Sequence, residues 1–284
     1  MQKIIILIHC QDQKAIIATV TNYIATIGGN ITYLDQQVDM GQNVFFMRLA
    51  CELDTENWNL ETIKSHFKTH LANPFKMSWE IYSQHQIPSM ALFVSKYDHC
   101  LYDILGRHSA GELAVTIPVI VSNHTDLKPV ADRFDIPFEY VPFTKENKEE
   151  GEQKQLELLK KYAIDFIVLA RYMQIITPNV IAKYRNNIIN IHHSFLPAFP
   201  GAKPYHSAFK RGVKIIGATS HYVTEALDEG PIIEQDITRV SHSHSIEDFI
   251  MKGRDLERMV LASAIQLHAQ RKTIVYNNKT VVFS

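Results

Sequence analysis

Asn190-Ile191-His192-His193-Ser194-Phe195-Leu196-Pro197 follows the apolar pair Ile188-Ile189 and reads as the carboxyl end of a buried strand entering a turn. Strand side chains alternate between faces, so Asn190 and His192 share one face and His193 takes the other. An amide N–H donor beside an imidazole at a strand end suits polarisation of a carbonyl and movement of a proton. The same residues read equally as a polar strand end whose Asn and His cap nearby backbone. Leu196-Pro197 and Phe199-Pro200-Gly201 supply tight turns that would shape a pocket mouth.

Upstream, the apolar runs Met90–Val94, Ala114–Val121, Phe138–Val141, Phe166–Leu169 and Asn187–Ile191 alternate with helix-like stretches, including Asp126–Phe134 and Lys148–Tyr162. Strands alternating with helices imply an α/β fold with a mainly parallel sheet covered on both faces. Ligands of such sheets sit outside the carboxyl ends of the strands, which is where Asn190 and His192 fall. Downstream, Ile215–Val223 reads as a further strand and Thr224–Pro231 as a loop carrying Asp228 beside Gly and Pro. Another strand starts at Ile232-Ile233. Ser245-Ile246-Glu247-Asp248 is a capping signal for a helix whose buried stripe reads Phe249, Ile250, Leu256, Met259, Val260 and Leu267. Ile274–Tyr276 and Thr280–Phe283 flank Asn277-Asn278 as a closing hairpin.

The first 83 residues follow another rhythm. Lys3–His9 is a β-branched strand, and Ile17, Val20, Ile24 and Ile27 space a helix that Gly28-Gly29 stops. Asn30–Asp39 and Asn43–Cys51 read as strands joined by Met40-Gly41-Gln42. Trp58, Ile63, Phe67 and Leu71 mark a second helix, broken at Asn73-Pro74, and Lys76–Tyr82 is the last strand. The order is βαββαβ, two helices on one face of an antiparallel sheet. Polar residues ending at Pro88 form a linker, so the domains are expected at 1–83 and 90–284, with 84–89 between them.

Composition narrows the function. At 284 residues and 46% hydrophobic, the chain suits one large or two smaller domains with real cores. A net charge of −1 gives no basic excess for nucleic acid or an anionic membrane. Cys10, Cys51 and Cys100 are far apart and odd in number, without zinc spacing, as expected of a reducing cytoplasm. The run Ile4–Ile8 is too short for a signal or spanning segment. The histidines show no metal-binding cluster, so no metal is expected.

The pair of stretches around Asn190-Ile191-His192 and Leu227-Asp228-Glu229-Gly230-Pro231 resembles the folate-dependent formyltransferases, in order and in separation. His193, directly after His192, together with Val94-Ser95-Lys96 and His99-Cys100-Leu101, is similar to the formyltetrahydrofolate deformylase branch. The glycinamide ribonucleotide formyltransferases usually have Pro at the position of His193. After the first strand of this domain they carry a Gly-rich phosphate loop, where this chain has Ser95-Lys96-Tyr97-Asp98-His99-Cys100. Asp98 would repel a phosphate there.

The resemblance implies a Rossmann-like formyltransferase domain, preceded by a ferredoxin-like ACT domain of the amino-acid-sensing kind. It implies hydrolysis of 10-formyltetrahydrofolate to tetrahydrofolate and formate by Asn190, His192 and Asp228. No metal or other cofactor would take part. The folate is expected against Arg171, Tyr172, Met173 and Ile175, with Leu227 opposite, and Lys203 or His206 near a glutamate tail. The N-terminal module would take an amino-acid effector such as glycine or methionine through Asp12, Gln13 and Lys14. Asp12 is read either as a ligand for the effector's ammonium or as a helix cap. Many such modules have Gly where this chain has Ala15. The expected whole is a cytoplasmic homo-oligomer, dimer or tetramer, serving one-carbon metabolism and formate supply for purine synthesis. Two alternatives stay open: formyl transfer to an amine acceptor, and a non-catalytic amino-acid-binding regulator.

Overall fold

The structure is a computed structural model that describes residues 2–54, 58–143, 147–198 and 204–284. Its contacts divide it into two units: residues 1–87 with 271–274 and 281–284, and residues 88–270 with 275–280.

In the first unit the strands are β1 (Gln2–Gln11), β2 (Asn30–Asp39), β3 (Val44–Leu53) and β4 (Ser78–Ser83). The helices are α1 (Ile16–Thr26), α2 (Leu60–Phe67) and the short α3 (Asn73–Phe75). The sheet order is β2-β3-β1-β4, and β1 is antiparallel to both neighbours. Ile4, Ile6 and Ile8 alternate onto the helical face and pack with Val20, Ile24, Ile63 and Phe67. Each such fully buried side chain contributes ~1.5–3 kcal/mol. The opposite face buries Ile5, Leu7, Phe46 and Arg48. Arg48 Nε donates to Arg271 O at 2.9 Å, and Tyr33 OH donates to Ser284 O at 2.8 Å. Such bonds bring the end of the chain back to this unit, so the expected boundary of 90–284 for the second domain is too generous at its far end.

Two local expectations fail here. Asp12 does not cap α1: the cap residue is Ala15 in the left-handed conformation, and the Asp12 N–H donates to Asn43 O. Its side chain lies too early in the chain to reach the helix start. Asn73-Pro74 does not break the second helix either. A π-turn at Lys68–Ala72 carries it into α3, where Pro sits in the first turn and needs no N–H partner.

The second unit holds β5 (Ser89–Val94), α4 (His99–Ser109), β6 (Thr116–Ser122), α5 (Lys128–Arg133), β7 (Phe138–Tyr140), α6 (Lys148–Lys161) and β8 (Phe166–Leu169). Then follow α7 (Pro178–Lys183), β9 (Ile188–His192), α8 (Pro204–Arg211), β10 (Ile215–Tyr222), β11 (Ile232–Arg239) and α9 (Ile246–Ala269). β12 (Thr273–Tyr276) and β13 (Lys279–Val282) close the chain as a hairpin. The sheet order is β11-β10-β9-β8-β5-β6-β7, parallel from β9 to β7, with β10 antiparallel to both neighbours.

Alternation along β5 sets the two layers. Met90, Leu92 and Val94 join a core with residues of α4 and α9, while Ala91 and Phe93 face a core with residues of α6 and α7. The Ser245 capping box forms: the side chains of Ser245 and Asp248 each accept from the other's backbone N–H. Along α9, Phe249, Leu256 and Val260 are buried as expected, but Met259 is half exposed, one residue off the stripe that faces the sheet.

Candidate active site

β9 ends on Asn190-Ile191-His192, one strand in from the antiparallel β10. The β9–β10 register puts His221 opposite Asn190 and Thr219 opposite His192. On its other side β10 meets β11 with a register shift between Ser220 and His221, where Ile233 of β11 is the extra residue. Behind these residues, Thr219 Oγ1 donates to Ser194 O at 2.8 Å and accepts from Leu196 N–H at 3.0 Å, which fixes the turn after the strand.

Asp228 reaches the site from the β10–β11 loop. Its φ of 58° is in the left-handed region, which Asp tolerates better than most residues. The loop lies tight on β10: a Cβ on Gly230 would stand 1.7 Å from Tyr222 O, so only glycine fits there. Asn278, in the closing hairpin, donates to Glu229 O at 2.6 Å and braces the same loop.

Four side chains form one continuous set. His192 Nδ1 lies 3.2 Å from Asp228 Oδ2, and His221 Nε2 lies 3.7 Å from Asp228 Oδ1. Asn190 Nδ2 lies 3.2 Å from His221 Nε2. His221 Nδ1 is 2.9 Å from Tyr222 O, and a carbonyl only accepts, so Nδ1 carries a hydrogen. Nε2 lies between the Asn190 amide and Asp228, and at least one Asn190 N–H stays available for a ligand. His192 spends Nδ1–H on Asp228, and its Nε2 is buried with no hydrogen-bond partner. The hydrogen bond from His192 and then the interaction with His221 hold the Asp228 carboxyl well below the usual carboxylate range, against the opposing effect of burial.

Asn190, His192 and Asp228 were expected from the sequence; His221 was not singled out. Its signal was present, since it sits within the apolar strand Ile215–Val223, but only the strand pairing shows which residue it faces.

The expected folate residues divide between the two faces of the sheet. Tyr172 turns to the α6 face, where its hydroxyl accepts from Gln155 Nε2 at 2.8 Å and its ring packs on Phe93. It borders a cavity with Ile175, Ile176 and Val180, where Glu152 Oε1 and Thr177 Oγ1 have no hydrogen-bond partner. Met173, Ile175 and Leu227 are 49%, 64% and 65% exposed, as apolar residues awaiting a cover would be. The Arg171 side chain turns away from that cavity and pairs with Glu257 on the α9 face. His206 is exposed, and Lys203 lies outside the described residues, as do Phe199, Pro200 and Gly201 of the expected pocket mouth. In the first unit Asp12, Gln13 and Lys14 lie at least partly exposed in the loop before α1.

Among the described residues one group has metal-ligand spacing, His99, Cys100 and Glu257. Arg171 Nε lies 3.4 Å from the same Glu257 oxygen that His99 approaches, so a cation already fills that role. No described helix is long and apolar enough to cross a membrane.

Residues 89–265 match the Formyl transferase family. A formyltetrahydrofolate deformylase from Synechocystis sp. is 52% identical over 98% of each chain. The crystal structure of a formyltetrahydrofolate deformylase from Pseudomonas syringae superposes with a TM-score of 0.96 at 44% identity, covering 100% of this chain and 95% of that one. A glycinamide ribonucleotide transformylase from Symbiobacterium toebii follows at TM-score 0.67 and 26% identity, over 72% of this chain and 97% of its own. Similarity of this degree, spanning both units of the molecule, shows that the chain belongs to the formyltetrahydrofolate deformylase family.

Proposed function

We propose that this chain hydrolyses 10-formyltetrahydrofolate to tetrahydrofolate and formate at the Asn190–His192–His221–Asp228 set. The observation that carries the reading is the buried, unpartnered Nε2 of His192, held by an Nδ1–H bond to Asp228 beside an amide with an N–H to spare. The formyl oxygen sits between these two donors. Asp228, ionised and partly open to solvent, takes a proton from the attacking water. The water oxygen bonds to the formyl carbon, and the oxygen that becomes negative is stabilised by Asn190 Nδ2–H and by His192 Nε2–H in its protonated form. One such donor is worth about 3 kcal/mol in an acyl-transfer site. The C–N bond then breaks, and the folate nitrogen leaves with the proton that Asp228 relays. This chemistry asks for no metal or organic cofactor. On this reading the pterin ring lies against the exposed apolar side chains of Met173 and Ile175, next to Tyr172, with Leu227 as its cover.

Incubation with 10-formyltetrahydrofolate and no amine tests the reading directly. Stoichiometric formate and tetrahydrofolate are expected; unchanged substrate would sink it.

The first unit is read as a ferredoxin-like ACT module, supported by its antiparallel order β2-β3-β1-β4 and its βαββαβ chain order. An amino acid such as glycine or methionine would place its carboxylate at the start of α1 and its ammonium near Asp12, with Gln13 and Lys14 alongside. The same module would join copies of the chain into a dimer or tetramer in the cytoplasm, where released formate feeds purine synthesis. Titration calorimetry with each amino acid checks the effector: no heat from either removes it.

A further inference from the structure

The strand order places the topological switch point of the sheet between β5 and β8. From β5 the chain moves to β6 and β7, then returns to β8 on the other side. The crevice outside the carboxyl ends of two such strands is where open α/β sheets bind ligands. On the α6 face the crevice leads to the cavity beside Tyr172. On the α4 and α9 face it is filled by the protein itself.

The filling is built around Glu257 of α9, 1% exposed. Glu257 Oε2 accepts from His99 Nε2 at 3.0 Å, at the start of α4, and Arg171 Nε lies 3.4 Å from the same oxygen. Glu257 Oε1 accepts from Tyr205 OH at 2.8 Å. Arg171, in the loop after β8 with φ of 62°, stacks its guanidinium 4.9 Å from the centre of the Tyr97 ring, in the loop after β5. Gly253 makes room for this: a Cβ there would stand 2.1 Å from the Tyr205 ring. Ser95 Oγ ties the same two loops, accepting from Met173 N–H at 2.9 Å and donating to Asn123 Oδ1 at 2.6 Å. The seal adjoins the catalytic strand through His193, which follows His192 and sets its ring 5.7 Å from that of Tyr205.

Deepening the hydrolase reading on which it rests, we infer that the Tyr97–Arg171–Glu257–His99 seal is a specificity device: it occupies the second-substrate half of the crevice and leaves water as the acceptor. Transfer and hydrolysis differ only in the nucleophile. With an amine, its nitrogen bonds to the formyl carbon, the bond to the folate nitrogen breaks, and the amine's proton passes to that nitrogen. The products are then a formamide and tetrahydrofolate. The plug excludes such an amine by filling the space, with both Glu257 oxygens already held by Tyr205, His99 and Arg171. Asp228, by contrast, keeps 23% of its side chain open to water.

The test is the partition of the formyl group with 10-formyltetrahydrofolate and glycinamide as probe, measuring formate and N-formylglycinamide by mass spectrometry. The wild-type chain is expected to give formate with only a trace of N-formylglycinamide. Tyr97→Gly with Arg171→Ala opens the crevice and is expected to raise the N-formylglycinamide share at least tenfold, saturably in glycinamide. Where the double variant does not fold by circular dichroism, Tyr97→Gly alone, at a ring 43% exposed, is expected to raise it at least threefold. A folded variant with the wild-type partition overturns the inference, and so does efficient formylation of glycinamide by the wild type. Release of neither product by the wild type overturns the hydrolase reading itself, and this inference with it.

Discussion

Two carboxylates paired with histidines, Asp228 and Glu257, have been given opposite fates. Asp228 meets His192 and His221 but keeps 23% of its side chain open, and its partner His192 retains an unused nitrogen. Glu257 meets His99, Arg171 and Tyr205, and both its oxygens are taken, 1% exposed. Burial pushes the Glu257 carboxyl up, but the His99 hydrogen bond and the Arg171 charge outweigh it and hold the group below its ordinary value. The lesson is that a carboxylate whose oxygens are both held and buried becomes structure, although His99 Nδ1 and Arg171 Nε beside it lack hydrogen-bond partners, whereas one left partly open beside an unused imidazole nitrogen can react.

Substitution separates the two clusters most sharply. His192→Ala or Asp228→Asn is expected to cut formate release by about 10³-fold or more, the scale of lost proton handling and oxyanion stabilisation together. The melting temperature should stay within a few degrees. Retained turnover in either variant, measured by formate release, would break the comparison on the Asp228 side. Glu257→Gln should do the reverse: removing one partner of a buried pair costs ~3–5 kcal/mol of stability because Arg171 and His99 lose their counter-charge. Chemical denaturation measures this, and an unchanged midpoint would show that the saturated cluster contributes little.

Asn190→Ala is expected to lower kcat by about 10²-fold with little change in KM, because the amide acts on charge that develops only in the transition state. A pure KM effect would instead make Asn190 a substrate-binding group.

Acid titration sharpens the contrast further. The folded Asp228 carboxyl is depressed, so its contribution to stability is complete above the ordinary carboxylate value of about 4 and is lost as pH falls toward the folded-state value. Thermal melts between pH 5 and 2 should therefore show a shallower acid loss in Asp228→Asn than in wild type. Equal slopes would mean that the His192 pair does not favour the charged form. The smallest effect belongs to the first unit. Ala15, at φ of 69°, is strained, and Ala15→Gly should gain no more than about 0.5 kcal/mol, since relief of strain is partly offset by the freer unfolded chain.

Much of this molecule can be read from local pattern. The unbroken apolar runs Met90–Val94 and Phe166–Leu169 give strands buried on both faces, and the parity of Asn190 and His192 puts them together at a strand end. The glycine and proline after Asp228 announce a loop. Where the reading slipped, a competing contact decided. Met259 fits the helical spacing of α9, but the sheet meets the neighbouring stripe. Asp12 has the chemistry of a cap, but the left-handed Ala15 starts the helix three residues later.

The sequence by itself determined the parallel layered core, the antiparallel first module and the shared face of Asn190 and His192, while Asp228 joined them only through the resemblance its motif carries. Periodicity sets the first three, acting over a few residues. Only the tertiary structure decided that His221 completes the site and that Arg171, His99 and Glu257 seal the crevice beside it. It also decided that the last residues return to the first unit. Those pairings join residues far apart in the chain, through strand register and buried charge, and no local pattern encodes which distant partner a side chain will meet.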